Sequence, residues 1–444
     1  MSAYRGFLSR LFALTRFGEK RSLDGPRRMN AALGDPLAAY DSVIIGGTNG
    51  KGSTVAMVAR SLQAAGYRVG ANHSPHTSEV NERIVIDGAP IDDAFLSACI
   101  GEVERARDAW ALTAGIDGEP LTYFEFITCV AFVAFARAGV DMAVIEVGLG
   151  GRLDATNVVQ PVVTAVASVS FDHMDVLGDT LAAIAGEKAG IFKKGVPAVI
   201  GPMEPSANEV FVRHARVLGV DLWKPGSDLR RARSGEGWDL STPDGDLHVV
   251  LGLQGEHQGA NASVALGILH LLRRQGFPVP DEAIVEGFRA AWMPGRLEEP
   301  LPGLLVDGAH NEAGALALAR FLAKRPRPEV RILLWGMGEG RDPLSIVAPI
   351  LPHVDELVTT RCAHPKARDP YDLAVLLQDA EVVLSAGGPV EETLPEVWWE
   401  ADEVVVAGSL YLAGAVRDLV ASGALDEEPA PADDEEGLEP DDEP

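Results

Sequence analysis

Between Gly47 and Thr54 the chain reads Gly-Thr-Asn-Gly-Lys-Gly-Ser-Thr, and these residue types at this spacing point to phosphate chemistry. Glycines let the backbone turn so that successive N–H groups converge on one concavity, an anion nest. A helix N-terminus behind the nest favours negative charge, and Lys51 reaches the terminal phosphates of a bound nucleotide. Thr48, Asn49, Gly50, Lys51, Gly52, Ser53 and Thr54 are therefore the expected contacts to the nucleotide. The competing reading is a plain glycine-rich turn, and the strand–turn–helix context speaks against it. The spacing departs from the generic phosphate loop, with one residue fewer before Gly50-Lys51 and Gly52 between Lys51 and Ser53.

The elements that must hold this loop follow from apolar patterning. Val43-Ile44-Ile45 reads as a buried strand, and Val55, Val58, Ala59 and Leu62 share one face of a helix over Ser53 to Ala65 that Gly66 ends. A strand over Tyr67 to Ala71 completes a βαβ unit. The alternation continues with a helix over Phe124 to Ala138 and strands at Met142 to Val147, Val162 to Val169 and Ala198 to Gly201. Trp223 to Val250 reads as a small antiparallel excursion, followed by a helix over Asn261 to Gln275. Pro294-Gly295 and Pro300 to Gly303 mark a boundary. Beyond it come strand 304–306, helix 313–323, and strands 330–335, 356–359 and 404–407. The expected organisation is a unit over 1–296, a second over 297–424, and an acidic, disordered tail over 425–444 with almost nothing apolar to bury.

Two α/β units fit 444 residues. The net charge of −27 includes 11 acidic side chains in Asp426 to Pro444, and the remainder is still acidic. Such a surface repels phosphate backbones and anionic membranes, so a general nucleic-acid binder is excluded as the default. Cys99, Cys129 and Cys362 are far apart, which argues against a disulfide framework or a zinc site and for a reducing cytoplasm. Arg10 and Arg16 interrupt the N-terminal apolar stretch, so no signal peptide is expected. The apolar run from Phe126 to Ala136 is too short to cross a bilayer.

The loop variant is that of the Mur-type ATP-dependent amide ligases. Along nearly its whole folded length the chain resembles the folylpolyglutamate synthase/dihydrofolate synthase family within that group. The matching stretches include Phe17-Gly18, Leu33-Gly34-Asp35-Pro36, Ser74-Pro75-His76, Glu82-Arg83-Ile84, and Thr122 with Phe124-Glu125-Phe126. The run from Glu146 to Asn157 is the most specific. Asp172-His173, Glu187-Lys188-Ala189-Gly190-Ile191, His257-Gln258 with Asn261, Pro294-Gly295-Arg296-Leu297 and Asp307-Gly308-Ala309-His310-Asn311 complete the set. The fold this implies is α/β: a P-loop ATPase domain of the Mur central type with a mostly parallel sheet, plus a smaller Rossmann-like α/β C-terminal domain.

The resemblance implies a reaction. ATP phosphorylates a carboxylate, L-glutamate attacks the acyl phosphate, and dihydropteroate or a reduced folate is the acceptor. Glu146 at the carboxyl end of a strand suits Mg²⁺. A solvated strand-end acid is the alternative for an isolated Glu. Ser74 and His173 join Glu146 as implied ligands of two Mg²⁺ ions, although a lone His after a strand is more often structural. Lys188, on a predicted helix where Lys is ordinarily solvated, is the implied carbamylated lysine. Asn261, Arg296 and Asp307 are implied ATP contacts, with a hinge salt bridge as the rival role for Arg296. The resemblance further implies that Lys51 and Lys188 act in catalysis, with His310 near the forming bond. By the same resemblance Thr122, Phe124, Leu153, Asp154, Ala155 and Thr156 are expected near the pterin-bearing substrate, with core packing the rival for Phe124. Thr77, Glu312 and Gly338-Glu339-Gly340-Arg341-Asp342 depart from the family's usual residues and put substrate preference in question. The implied protein is a cytoplasmic monomer with small-molecule partners. Its rivals are a Mur ligase acting on another carboxylate, for whose extra N-terminal domain 46 residues before Gly47 are too few, and a non-catalytic nucleotide-binding regulator.

Overall fold

The computed structural model describes residues 22–114 and 121–426. Phe17-Gly18 and residues 427–444 of the acidic tail lie outside the described residues. Near the N-terminus, strands β1 (Asp41–Gly46), β2 (Val69–Asn72), β3 (Ile84–Ile86), β4 (Ala89–Pro90), β5 (Met142–Glu146), β6 (Val163–Val166), β7 (Ala198–Ile200) and β8 (Leu222–Trp223) form one sheet in the order β4-β3-β2-β5-β1-β6-β7-β8. From β2 to β8 every neighbouring pair is parallel, while β3 and β4 run antiparallel at one edge.

The central strands are continuous apolar runs because both sheet faces are covered. Side chains alternate between them, so Ile44 and Ile145 pack beneath the helix Tyr123–Ala138 with Phe126, Phe132 and Phe135. Val43, Ile45 and Val144 face the opposite side, against Val55, Val58 and Leu62 of the helix Lys51–Ala64 and the helix Gln258–Arg274. The helix Tyr123–Ala138 begins with a capping box between Thr122 and Glu125 and stops at Gly139 in the left-handed region.

The antiparallel excursion consists of β9 (Arg230–Ser234), β10 (Gly237–Thr242) and β11 (Gly245–Val249). A third sheet contains β12 (Glu298–Leu301), β13 (Leu304–Val306), β14 (Arg331–Trp335), β15 (Glu356–Arg361), β16 (Val383–Pro389) and β17 (Glu403–Ala407), ordered β12-β13-β17-β14-β15-β16. All its pairs are parallel except β12 with β13.

Sequence patterning missed both antiparallel edges, β3–β4 and β12, and the outer strand β16. Edge strands are covered on fewer sides, so Glu298-Glu299-Pro300-Leu301 carries no apolar run to detect. The helix Asp93–Ala114 also went unread, and only Leu96, Cys99, Ile100 and Val103 of its 22 residues are buried. The helix Gln258–Arg274 starts three residues earlier than its apolar pattern suggests, which places Asn261 in its first turn. Among the described residues no helix is long and apolar enough to cross a membrane.

Candidate active site

The glycine loop leaves the carboxyl end of β1 and enters the helix at Lys51. Gly50 has φ +81°, and a Cβ there would lie 2.2 Å from Oδ1 of Asn261. Gly50→Ala is therefore expected to cost about 1–3 kcal/mol from the left-handed backbone alone, read as a lowered melting temperature. Nucleotide affinity falls with it, because the loop must then shift away from Asn261.

The nest is narrower than the motif suggests. Thr48 N–H donates to Ser168 O (2.9 Å) and Asn49 N–H to Ser168 Oγ (3.0 Å), so these two amides are engaged by the segment after β6. Thr48 Oγ1 and Ser170 bond each other in both directions, at 3.1 and 3.2 Å. The donors without an intrahelical partner are those of the first turn, Lys51, Gly52 and Ser53. Thr54 N–H already closes the first turn on Gly50 O, at 3.0 Å. Gln258 Nε2 reaches Ser53 Oγ at 3.3 Å, and Gln258 Oε1 holds the Asn261 amide at 2.8 Å. The helix from Gln258 thus presses its first turn against the loop.

Two lysines converge on one carbonyl. Lys51 Nζ bonds Gly47 O and Thr48 O, each at 3.1 Å, and Lys188 Nζ bonds Gly47 O at 2.9 Å. Lys188 is 3% exposed, contrary to the solvated position typical of a helical lysine. Burial, aided by the Lys51 charge, pushes its amine down to about 7, against the pull of Asp172 and Asp154. Burial also lowers Lys51, opposed first by Glu146.

Glu146 closes β5, is 5% exposed, and accepts from Ser74 N–H and faces His73 Nδ1, both at 3.3 Å. Its Oε2 lies 3.5 Å from where a Cβ on Gly52 would stand, so the carboxylate looks onto the helix start. The fold therefore joins Ser74 and Glu146 at the loop. His173 has no described bond to either of them: 47% of its side chain is exposed, its φ is +49°, and its ring faces Asp172 at 3.8 Å. Among the described residues no three His, Cys, Asp or Glu side chains form a metal-holding group. A hydroxyl and a carboxylate still fit Mg²⁺, which keeps several waters and takes further oxygens from substrate phosphates.

Of the residues implied for the pterin-bearing substrate, Phe124 packs its ring on the backbone at Gly148, where a Cβ would come within 2.4 Å of it. Asp154 accepts from Leu149 N–H at 2.8 Å and from both Thr156 N–H and its hydroxyl, so its oxygens organise the loop after β5. Burial raises its carboxyl against those bonds. Ala155 and Thr156 are buried, Leu153 is half-buried, and the Thr122 hydroxyl is engaged with Glu125.

The other wall of the cleft comes from the carboxyl ends of the third sheet's strands. Asp307 accepts from Leu297 N–H (2.9 Å) and Ala309 N–H (2.8 Å), and burial raises it against the pull of Arg296. Arg296 Nη1 bonds Gly295 O at 3.0 Å. His310 Nδ1 lies 2.7 Å from Gly308 O, which fixes its proton there and leaves Nε2 3.9 Å from Asp172. Burial lowers this imidazole to about 4, opposed by Asp172. Asp172, whose side chain is 7% exposed, receives Arg341 Nη2 at 2.6 Å and Asn311 Nδ2 at 3.1 Å. Burial alone would raise its carboxyl, yet His173, Arg341, His310 and Asn311 together hold it at about 2.

Asn49 and Asn311 also pair amide to amide, at 3.1 and 3.2 Å, which ties the glycine loop to the opposite wall. Sequence reasoning named Asp172 and Asn311 only as matches and assigned no site role to Ser168, Ser170, Gln258 or Arg341. The usable signals were Ser168 and Ser170 following a buried strand and Gln258 one helical turn from Asn261. Nothing local marked Arg341 as crossing to Asp172. Thr77 bonds Glu82 at 2.7 Å and Arg417 at 3.4 Å, so this departure from the family pattern sits in a contact between the two walls.

Comparison with known proteins agrees with this architecture. The Mur ligase middle domain matches residues 96–269, and the dihydrofolate synthetase C-terminal domain matches residues 298–419. The Mycobacterium tuberculosis dihydrofolate synthase/folylpolyglutamate synthase is 36% identical over 425 residues, 87% of each chain. A Haloferax volcanii protein described as a probable bifunctional folylpolyglutamate synthase/dihydropteroate synthase is 35% identical over 93% of this chain, which spans 50% of that longer relative. The solved E. coli FolC in complex with DHPP and ADP superposes with a TM-score of 0.85 at 29% identity, covering 95% of this chain and 98% of that one. The chain therefore belongs to the dihydrofolate synthase/folylpolyglutamate synthase family, with the Mur ligase fold of two α/β domains.

Proposed function

We infer that this chain is an ATP-dependent ligase that joins L-glutamate to dihydropteroate, to a reduced folate, or to both. The observation that carries the reading is the meeting of Lys51, Lys188 and Glu146 at a glycine loop whose Asn49 is bonded to the opposite wall.

The chemistry follows from the groups present. A carboxylate oxygen of the acceptor attacks the γ-phosphorus of ATP, the bond to the β–γ bridging oxygen breaks, and ADP departs. The demand is for positioning and charge neutralisation. Lys51, with the first-turn amides, would hold the phosphates, and Asn261, Arg296 and Asp307 would frame the nucleotide from the hinge. Ser74 and Glu146 would hold one Mg²⁺ and His173 would contribute to a second; the ions would neutralise phosphate charge. The glutamate nitrogen then attacks the acyl carbon, and the tetrahedral adduct expels phosphate. His310, its Nδ1 proton occupied on Gly308 O, offers Nε2 as an acceptor on that side. Phe124, Leu153 and the loop shaped by Asp154, Ala155 and Thr156 behind Thr122 would border the pterin.

We assign Lys188 a carbamate. A neutral amine is the form that attacks carbon dioxide: the N–C bond forms, a proton leaves, and the product is an anion. An amine lowered to about 7 supplies that form near neutral pH. The three cysteines are buried and unpaired, which suits a reducing compartment such as the cytoplasm.

The test is product-resolved. With MgATP and L-glutamate, new amide is expected from dihydropteroate, tetrahydrofolate or both, and ADP formation should require acceptor and glutamate together. Nucleotide binding with no ADP formed under any of these additions would favour the non-catalytic nucleotide-binding regulator instead.

A further inference from the structure

Besides the exposed ion pair of Lys324 with Glu256, two sets of contacts span the cleft, and they differ in kind. Beside the linker, Gly414 lies backbone to backbone against Thr77, where a Cβ would come within 2.2 Å of Thr77 O. Ser78 Oγ bonds Gly414 O at 3.3 Å, and Arg417 bonds Glu298, which in turn holds Gly295 N–H at 2.8 Å. This set is tied into the linker itself and forms the pivot. At the glycine loop the contacts are made by side chains only: Arg341 with Asp172, Asn311 with Asp172, and Asn311 with Asn49.

Within that second set Arg341 supplies the guanidinium from the third sheet's side, in the loop after β14, and His310 Nε2 stands 3.9 Å from the same Asp172. That loop is braced from behind by a bridge between Gly338 and Ala367, by Glu339 N–H on Lys366 O at 3.3 Å, and by Arg368 Nη2 on Arg341 O at 3.4 Å. Asp172 belongs to the segment after β6 that also pins Thr48 and Asn49 through Ser168 and Ser170. The guanidinium thus grips the support of the phosphate loop from across the cleft. A charge-assisted bond to a nearly buried carboxylate is stronger than its neutral neighbours.

We propose that Arg341 is a positioning residue for the ligation: by latching its loop onto Asp172 it keeps the cleft shut while the acyl phosphate awaits glutamate, and so sets the fraction of ATP turnover that ends in amide. The proposal rests on the ligase reading. With the latch gone, water competes with the amine. Its oxygen bonds the acyl carbon, the carbon–oxygen bond to phosphate breaks, and carboxylate and phosphate are released, so ATP is hydrolysed with no amide made.

The experiment measures ADP and amide in the same sample for the full-length wild type, Arg341→Ala, Arg341→Gln and Arg341→Lys, with dihydropteroate and, separately, tetrahydrofolate as acceptor. The wild type is expected to give one ADP per amide. The Ala and Gln variants should raise that ratio about threefold or more and the KM for glutamate about tenfold, with the KM for ATP changed less than about twofold. Arg341→Lys, which retains a charge able to reach Asp172, should restore the ratio most of the way. A wild-type ratio and glutamate KM in both the Ala and Gln variants would overturn the proposal. So would a Lys variant as uncoupled as Ala, because the loss would then follow the loop's shape and not its charge. Absence of amide from the wild type with either acceptor would remove the ligase reading itself, so the two failures are distinguishable.

Discussion

Lys51→Ala is expected to reduce ADP and amide formation by at least about 10²-fold, the scale of removing one charged stabiliser from a phosphoryl-transfer site. The protein should remain folded. Lys51 gives up two bonds to carbonyls of its own loop, but its burial is itself unfavourable to the charged amine. These effects oppose each other, and the melting temperature should move by only a few degrees. The substitution has a second consequence. Lys51 is the charge that helps burial to depress Lys188, so its removal lets the Lys188 amine rise from about 7. Less of it is then neutral at a given pH, and carbamate formation in the variant should need a higher pH than in the wild type. Steady-state ADP release with a melting curve decides the matter: near-normal release from a folded variant would contradict the site assignment.

Lys188→Met should separate activity from stability in the opposite sense. The folded amine titrates at about 7, against 10.5 for a lysine in water, so between those limits the unfolded chain binds more protons than the folded one. Stability therefore rises with pH across that window, and below about pH 7 the full penalty of burying the cation is present. Methionine removes that penalty, worth about 1.4 kcal/mol for every tenfold by which burial weakens proton binding, less the lost bond to Gly47 O. The variant should melt higher than an uncarbamylated wild type at pH 6, with the advantage shrinking toward pH 10. Its ligase activity should nevertheless be lost. Isotope-labelled bicarbonate should give a carbamate signal in the wild type and none in Lys188→Met. A fully active variant would sink the catalytic role, and a wild type without the signal would sink the carbamate alone.

Much of this site is legible in the chain because its chemistry is local. A nest needs glycines within a few residues of a helix start, and Gly47 to Thr54 displays that in one line. Glu146 is legible for a related reason, since a buried parallel strand reads as an apolar run and its last residue stands at the ligand-binding edge. Lys188 was visible only through its Glu-Lys-Ala-Gly context. Its helix also carries exposed residues, and periodicity cannot tell which face another element covers.

The two α/β sheets, the phosphate loop between β1 and its helix, and the family could all be read from the residues in order, because these rest on short-range pattern and on ordered matches along the chain. It took the folded chain to show that Ser168 takes two of the loop's amides, that Lys51 and Lys188 share one carbonyl, and that Asp172 receives Arg341 across 169 positions. Hydrogen bonds and ion pairs at such separations are fixed by how the sheets pack. A shift of one residue in strand register would exchange the faces of every side chain and dissolve them.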